Sequence, residues 1–441
     1  MKTLRIGCGS GCCIDRIEPA VELIERGNID YLVFETLSER TIALANKEKF
    51  NNSGLGYNCL LGKRMDMVLE KAIKNNVKII TNMGAANVPG AVKLVKKIAE
   101  SKNLNDIKVV GIIGDDLYTS IDKYYYNDIL ELDNKLSSIS DKIISCNVYL
   151  GIEGILKALK EEADVVITGR VADPSLFLAP LVYEFNWEMD NPVVIGQGTL
   201  MGHLLECGGQ ITGGYFSNKG DKKLQDLHLL GFPIAEIREN GEFFITKVDG
   251  TGGEVSLRTC KEQLLYEIQD PSNYITPDAI VDFSHVEIFE VSKNKIGFSG
   301  AVSKGKPSKL KASVGYRSCI IGEGGISYSG HDALDRAQLA NDIIMKRLDI
   351  VKPEYIEINS SFIGFNSMFQ YESNEKPMEV RLRISGKFKD EYNAKLLTNE
   401  IDSMYTNGPY GGGGISTKIE ELVSTCSIYV PREDINIKII N

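Results

Sequence analysis

Short apolar runs alternate with longer amphipathic stretches through the first half of the chain. "LRIGC" leads into "GSGCCIDR" and "IEPAVELIERG", "IDYLVFE" into "TLSERTIALAN", and "VKIITN" into "MGAANVPGAVKLVKKIAES". "IKVVGIIGDD" follows, and "ADVVITGR" leads into "VADPSLFLAPLVYEF". Runs with no polar face predict strands buried on both sides, as in a parallel sheet covered by helices. The expectation is an α/β chain. An N-terminal doubly wound, mostly parallel sheet occupies residues 1–216, joined by right-handed crossovers. Residues 117–150 interrupt the rhythm and read as an insertion, a candidate lid.

The pattern changes after "GGQITGGYF" (208–216). The polar stretch 217–226 reads as a linker, and strand-like runs then come in series: "FFITKVDG", "AIVDFSHVEIFEV", "KIGFSGAVS", "YIEINSSFIGF", "EVRLRISGKF" and "INIKII". Helices are predicted over 259–269, 331–349 and 391–405, and another after the glycines of "NGPYGGGGISTKIEELV" (407–423). Thr259 stands three residues before Glu262, a capping-box spacing. This half reads as a C-terminal α+β domain, 217–441, with a mixed or antiparallel sheet.

In a parallel sheet every strand ends on one edge, where the crevice for ligands lies. The polar residues at those ends are Asp15, Arg16, Glu35, Asn82, Asn87, Asp115, Asp116, Arg170 and Asp173. Taken singly, Asp and Asn at such places are helix caps. Taken together, two arginines among carboxylates suit an anionic substrate and its acid–base chemistry. Arg16 and Arg170 are the candidates to hold a carboxylate or oxyanion, and Asn82 and Asn87 to orient it. Asp115, Asp116 and Asp173 are candidate acids and bases. Glu35, Asp115 and Asp116 are oxygen donors of the kind that hold Mg²⁺ or Mn²⁺.

Gly7, Gly9 and Gly11 give G-x-G-x-G, with Cys12 where a dinucleotide fingerprint has its third glycine. Glu35 stands where a ribose would be held, so an NAD(P)-dependent oxidoreductase is the alternative reading. The simpler use of Gly9, Ser10 and Gly11, beside Asp15, is a backbone nest for a small anion. Cys12 and Cys13 have no neighbouring base and read as small fillers. His203, Glu206 and Cys207 fall on one face of a predicted helix, 200–207, which makes His203 the best placed histidine for proton transfer. "GTGG" (250–253) and the four glycines at 411–414 lack the G-K-[ST] of a phosphate loop.

A length of 441 residues predicts two domains. A net charge of −10 argues against a nucleic-acid partner. Nine dispersed cysteines without a CxxC pair predict reduced thiols and a cytoplasmic protein. No signal-like or membrane-spanning run is seen, so no membrane partner is expected. A soluble enzyme of this kind is expected to be a homo-oligomer.

The strings "DYLVFETLSERT", "IITNMGAANV", "ITGRVADPSLFLAPLVYEFNW", "GHLLECGGQITGGYF", "GTGGEVSLRTCKEQLLYEIQDPSNYITPD" and "YSGHDALDRAQLA" resemble the acyclic terpene utilisation protein A (AtuA) family, over nearly the whole chain. The resemblance implies catabolism of acyclic terpenoids through branched acyl-CoA intermediates, with CoA as part of the substrate, and a cleavage or hydration step. It carries no catalytic residues onto this sequence. It also implies a small ferredoxin-like domain, carried or encoded alongside. Since the chain ends at "VPREDINIKIIN", a separate small subunit is the expected partner. The leading expectation is a lyase or hydro-lyase on a small carboxylate or branched acyl-CoA. A noncatalytic ligand-binding or scaffold subunit is the reading from another class.

Overall fold

The apolar runs of the first half become strands β1 (Thr3–Ser10), β2 (Tyr31–Phe34), β3 (Lys78–Thr81), β4 (Val109–Ile113), β5 (Ile143–Val148) and β6 (Val165–Thr168) in a computed structural model that describes residues 2–369 and 376–441. Five of them run parallel in the order β1-β2-β3-β6-β4. The chain steps past one place from β3 to β4, then returns to insert β6 between them. Strand order therefore reverses at this point, which opens a crevice at the C-terminal ends.

The helices of this part are α1 (Glu18–Arg26), α2 (Glu39–Asn51), α3 (Leu61–Lys74), α4 (Val88–Ser101), α5 (Glu153–Lys160), α6 (Asp173–Phe185) and α7 (Pro192–Glu206). Leu23, Met65 and Val92 from α1, α3 and α4 pack with Leu32, Phe34 and Ile79 in one apolar core. Helices α5, α6 and α7 pack successively on one another and touch β1, β2, β4 and β6. α6 and α7 are buried nearly all round, which is why their sequences show little amphipathic contrast.

The sheet does not stop at β1. β7 (Pro233–Arg238) pairs antiparallel with β1, Ile6 opposite Ala235, and β8 (Phe243–Lys247) pairs with β7. After α8 (Leu257–Leu265) come β9 (Tyr274–Ile275), β10 (Ile280–Asp282), β11 (Glu287–Ser292), β12 (Lys295–Ser299) and β13 (Val302–Ser303). β12 and β11 extend the main sheet beyond β8, and β9, β10 and β13 form a small sheet. The remaining elements are β14 (Lys309–Ser329), α9 (Ala333–Val351), β15 (Tyr355–Ile363), β16 (Glu379–Phe388), α10 (Glu391–Asn407), β17 (Gly413–Pro431) and β18 (Lys438–Ile440). β18 closes the far edge of the main sheet, antiparallel to β4. The chain is thus mixed α/β, built on a mixed parallel and antiparallel sheet.

Two compact units result, one of Met1–Gly315 with Thr425–Asn441, the other Tyr316–Ser424. They do not divide at 216/217. Backbone hydrogen bonds from β7 to β1 bind the residues after the polar 217–226 stretch to the first sheet. The second unit follows the order βαββαβ, with strands β15-β16-β14-β17, the split βαβ arrangement. Leu382 and Ile384 of its sheet pack with Leu334, Ile344, Leu397 and Ile401 of α9 and α10.

Three local expectations are corrected. The segment after the glycines at 411–414 is strand β17, not a helix. Ile415 and Ile419, which pack on the second unit's core, are four apart, a spacing that suits a strand face as well as a helix face. The cap of α8 is Ser256 with Thr259, three residues earlier in the chain than the Thr259–Glu262 box. Residues 117–142 form short 3₁₀ turns and β5 pairs with β14. Among the described residues no helix is long and apolar enough to cross a membrane.

Candidate functional site

A cavity of about 560 Å³ opens in the first unit at the strand ends. β2 delivers Glu35, and Ser38, which accepts from the Thr41 N–H, then starts α2 with Glu39 in its first position. β6 delivers Arg170, and α6 begins at Asp173. The last turn of α7 brings His203 and Glu206, with Cys207 at the C-cap. Tyr149 follows β5, and Lys309 and Lys311 come from β14.

Arg170 is the electrostatic centre. Its side chain is buried, its guanidinium lies 4.0 Å from the Tyr149 ring centroid, and one Nη donates to the Leu37 carbonyl. The other Nη is 3.7 Å from Asp173 Oδ1, an ion pair too long for a hydrogen bond. Burial opposes the guanidinium charge, but Tyr149, Asp173, Glu39 and Glu35 outweigh it and raise its pKa. Glu39 accepts from the Tyr149 hydroxyl and lies 3.2 Å from Lys311 Nζ. Burial pushes its pKa up, yet Arg170, Tyr149 and Lys311 together pull it down to about 2. Asp173 responds oppositely: burial pushes it up to about 6, against the pull of Arg170. Lys309 is exposed and makes no ion pair among the described residues.

The protons on His203 and Glu206 follow from their partners. His203 Nε2 lies 3.3 Å from the Leu264 carbonyl, which can only accept, so Nε2 carries the hydrogen. Burial lowers the imidazole pKa to about 4, so the ring is neutral and Nδ1 is a bare acceptor. Glu206 Oε1, 3.2 Å from Nδ1, must then be the donor. Burial and the nearby Asp173 and Glu267 charges raise the Glu206 pKa well above the carboxylate range, as a neutral acid requires. Tyr274 and Phe283 pack against the imidazole at 5.2 and 5.8 Å. Glu206 Oε2 and Asp173 Oδ1 are buried without a hydrogen-bond partner.

Glu35 joins Glu39, Asp173 and Glu206 among the carboxyls of the cavity. Its Oε1 accepts from the Leu37 N–H at 2.7 Å and from Asn82 Nδ2 at 3.0 Å. Burial and the Asp173 charge raise its pKa well above the usual value despite those bonds. Asn82 also accepts from the Thr36 N–H and hydroxyl. It orients Glu35 and the β2 loop, not a substrate, and does not line the cavity.

Of the residues singled out from sequence, Gly11, Cys12, Cys13, Glu35, Arg170, Asp173, His203, Glu206 and Cys207 line the cavity. The others do not. Asp115 is buried behind it, accepting from Asn147 Nδ2 and the Arg170 N–H, and burial raises its pKa to about 6. Asp116 is exposed and accepts from the Tyr118 N–H. Asn87 caps α4 and donates to the Ser53 and Leu55 carbonyls. Among the described residues no three His, Cys, Asp or Glu side chains group to hold a metal ion, Glu35, Asp115 and Asp116 included.

Two glycines of the opening loop stand against packed atoms. A Cβ on Gly9 would meet the Phe34 ring at 2.7 Å, and one on Gly11 would meet the Cys207 backbone at 2.2 Å. Ser10 is buried and donates to the Glu35 carbonyl, while Asp15 takes the Gly11 N–H. α1 starts only at Glu18, with an acidic first turn and no side-chain cap. Gly11, Cys12 and Cys13 of this loop nevertheless line the cavity. Arg16 donates to the Leu227 and His228 carbonyls and borders a second, smaller space. Burial raises the pKa of both Cys12 and Cys13, which leaves them thiols. Of residues 117–150, Tyr149 lines the cavity.

Glu39, Tyr149, Lys309 and Lys311 were missed from sequence. Glu39 had a signal, since it lies in the same strand-end loop as Glu35. The other three reach the cavity through the pairing of β5 with β14, which no local pattern announces.

The family model described as acyclic terpene utilisation family protein AtuA matches residues 4–440. No curated protein matches the chain.

Proposed function

This chain belongs to the acyclic terpene utilisation family AtuA, and on that premise we propose that it is a lyase or hydro-lyase acting on a small carboxylate or branched acyl-CoA. One observation carries the reading: carboxyl groups in a single cavity are held in different protonation states. Glu206 is a neutral acid, Glu39 is ionised, and Asp173 is poised near 6. Environments that drive carboxyl pKa values apart assign an acid and a base.

In the dehydrating direction, ionised Asp173 takes the proton from the carbon α to the acyl carbonyl. Glu206 gives its proton to the departing hydroxyl, which leaves as water. The C–O bond breaks and a C=C bond forms. Hydration runs the same transfers backwards. Arg170 and Lys311 offset the negative charge that develops on the carbonyl oxygen. Lys309, with no ion pair of its own, suits a substrate carboxylate. His203 is a positioning residue that holds the Glu206 carboxyl through Oε1, and the acid's O–H turns from Nδ1 to the departing hydroxyl for the transfer. A cytoplasmic homo-oligomer with a separate small subunit completes the proposal.

The test incubates the purified chain with 2-enoyl and 3-hydroxyacyl thioesters of CoA and with short hydroxy acids, and follows gain or loss of one water by mass spectrometry. Glu206→Gln is expected to lower turnover by about 100-fold or more, the range for losing a general acid. Turnover unchanged in that variant would overturn the assignment. Binding without turnover in any mixture would favour the noncatalytic subunit instead.

A further inference from the structure

A second space, a groove of about 420 Å³, lies beside the cavity within the same unit. Gly11, Cys12, Cys207 and Gln210 border both. Tyr215 of the groove also meets Tyr266 of the cavity edge-on, with ring centroids 6.3 Å apart, so the two spaces are direct neighbours. A molecule anchored by the carboxyl cluster has this groove as its next contact surface.

The chemistry of the groove differs from that of the cavity. Its charged side chains are already engaged. Arg16 donates to two backbone carbonyls, and Asp15 accepts from the Gly11 and Arg16 N–H groups. Beside Gln210, the side chains left for a ligand are the partly buried Leu227 and Leu230 and the ring of Tyr215, which is 79% exposed, over Phe232 of the core at 3%. Such a surface recognises carbon chain rather than a second anion.

We propose that the substrate has two arms, an acid or thioester end in the cavity and an apolar carbon chain in the Leu227–Phe232 groove, which sets chain-length selectivity. The inference rests on the reading of the cavity as the acid–base site. It adds a specificity element outside that site: Tyr215 and Leu227 decide how long a chain is held.

Butanoate and octanoate, titrated calorimetrically into the full chain, test it. Each buried methylene strengthens binding by up to about fourfold, so octanoate is expected to bind at least about tenfold more tightly than butanoate. Leu227→Trp, which fills the groove, and Tyr215→Ala, which removes an exposed wall, are each expected to bring that ratio to within about threefold of one. An unchanged ratio in both folded variants overturns the groove assignment and leaves the cavity reading standing. Equal binding of the two acids by the unaltered protein does the same. If neither acid binds the unaltered protein, the cavity reading falls and the groove assignment with it.

Discussion

Replacing Glu206 by Gln separates two descriptions of the buried pair it forms with His203. In the neutral description, Glu206 donates from Oε1 to bare Nδ1. A Gln amide has nearly the same shape, and its N–H₂ can make that bond. Its oxygen then occupies the place of Oε2, which has no partner in any case. Below the ordinary carboxylate pKa of 4.5 the expected stability change is less than about 1 kcal/mol, the scale of one retained hydrogen bond, and at neutral pH Gln is expected to be no less stable, because it needs no proton on folding. In the alternative description, Glu206 is ionised against an imidazolium. Gln would then leave a buried charge unpaired, at about 3–5 kcal/mol. Urea unfolding at neutral pH distinguishes these outcomes. Trp187, the single tryptophan, is 8% exposed in the same unit and serves as the fluorescent probe. The pH dependence gives a second reading with a definite sign. The folded-state pKa of His203 lies near 4, below its ordinary 6.5. The stability it contributes is therefore complete above 6.5 and is lost as pH falls through about 4, by up to about 3 kcal/mol. Glu206, raised, behaves the other way: its contribution is complete below its ordinary 4.5 and is lost as pH rises. The Gln variant should keep the acid-side loss and gain on the unaltered protein as pH rises. A loss of 3 kcal/mol or more at neutral pH, about the size of a broken buried ion pair, would refute the neutral assignment.

Arg170→Met removes the charge that restrains Asp173, so the acid limb of a pH–rate profile should move above about 6; with Glu39 and Asp173 left facing each other, unfolding should also come earlier by about 3–5 kcal/mol. Gly11→Ala should cost about 3 kcal/mol or more in the same urea assay, because its Cβ would stand 2.2 Å from the Cys207 backbone; a neutral effect would mean that this seam yields. Asp115→Asn should leave turnover within about threefold, since one oxygen accepts both its bonds and the residue lies outside the cavity. A hundredfold loss in that variant would return Asp115 to the chemistry.

The sequence by itself determined the parallel strands and the edge at which their polar residues meet. Apolar runs such as "YLVF" and "VVIT" have no face for water, so burial on both sides follows from composition alone. Glu35, Arg170 and Asp173 were legible for the same reason, and His203 with Glu206 from helical spacing. Asp115, Asn82 and Asn87 carry identical signals, and only packing shows that each spends its hydrogen bonds on the scaffold. The glycines of the opening loop likewise look like an anion cradle, and only the fold sets the Cys207 backbone against Gly11. Tertiary structure alone decided that β7 returns to β1, that β14 carries lysines to the cavity, and that Glu206 is protonated. Each depends on groups distant in sequence: a strand edge needs a partner for its N–H and C=O groups, and a buried carboxyl takes its charge state from whatever donors and charges the fold places around it.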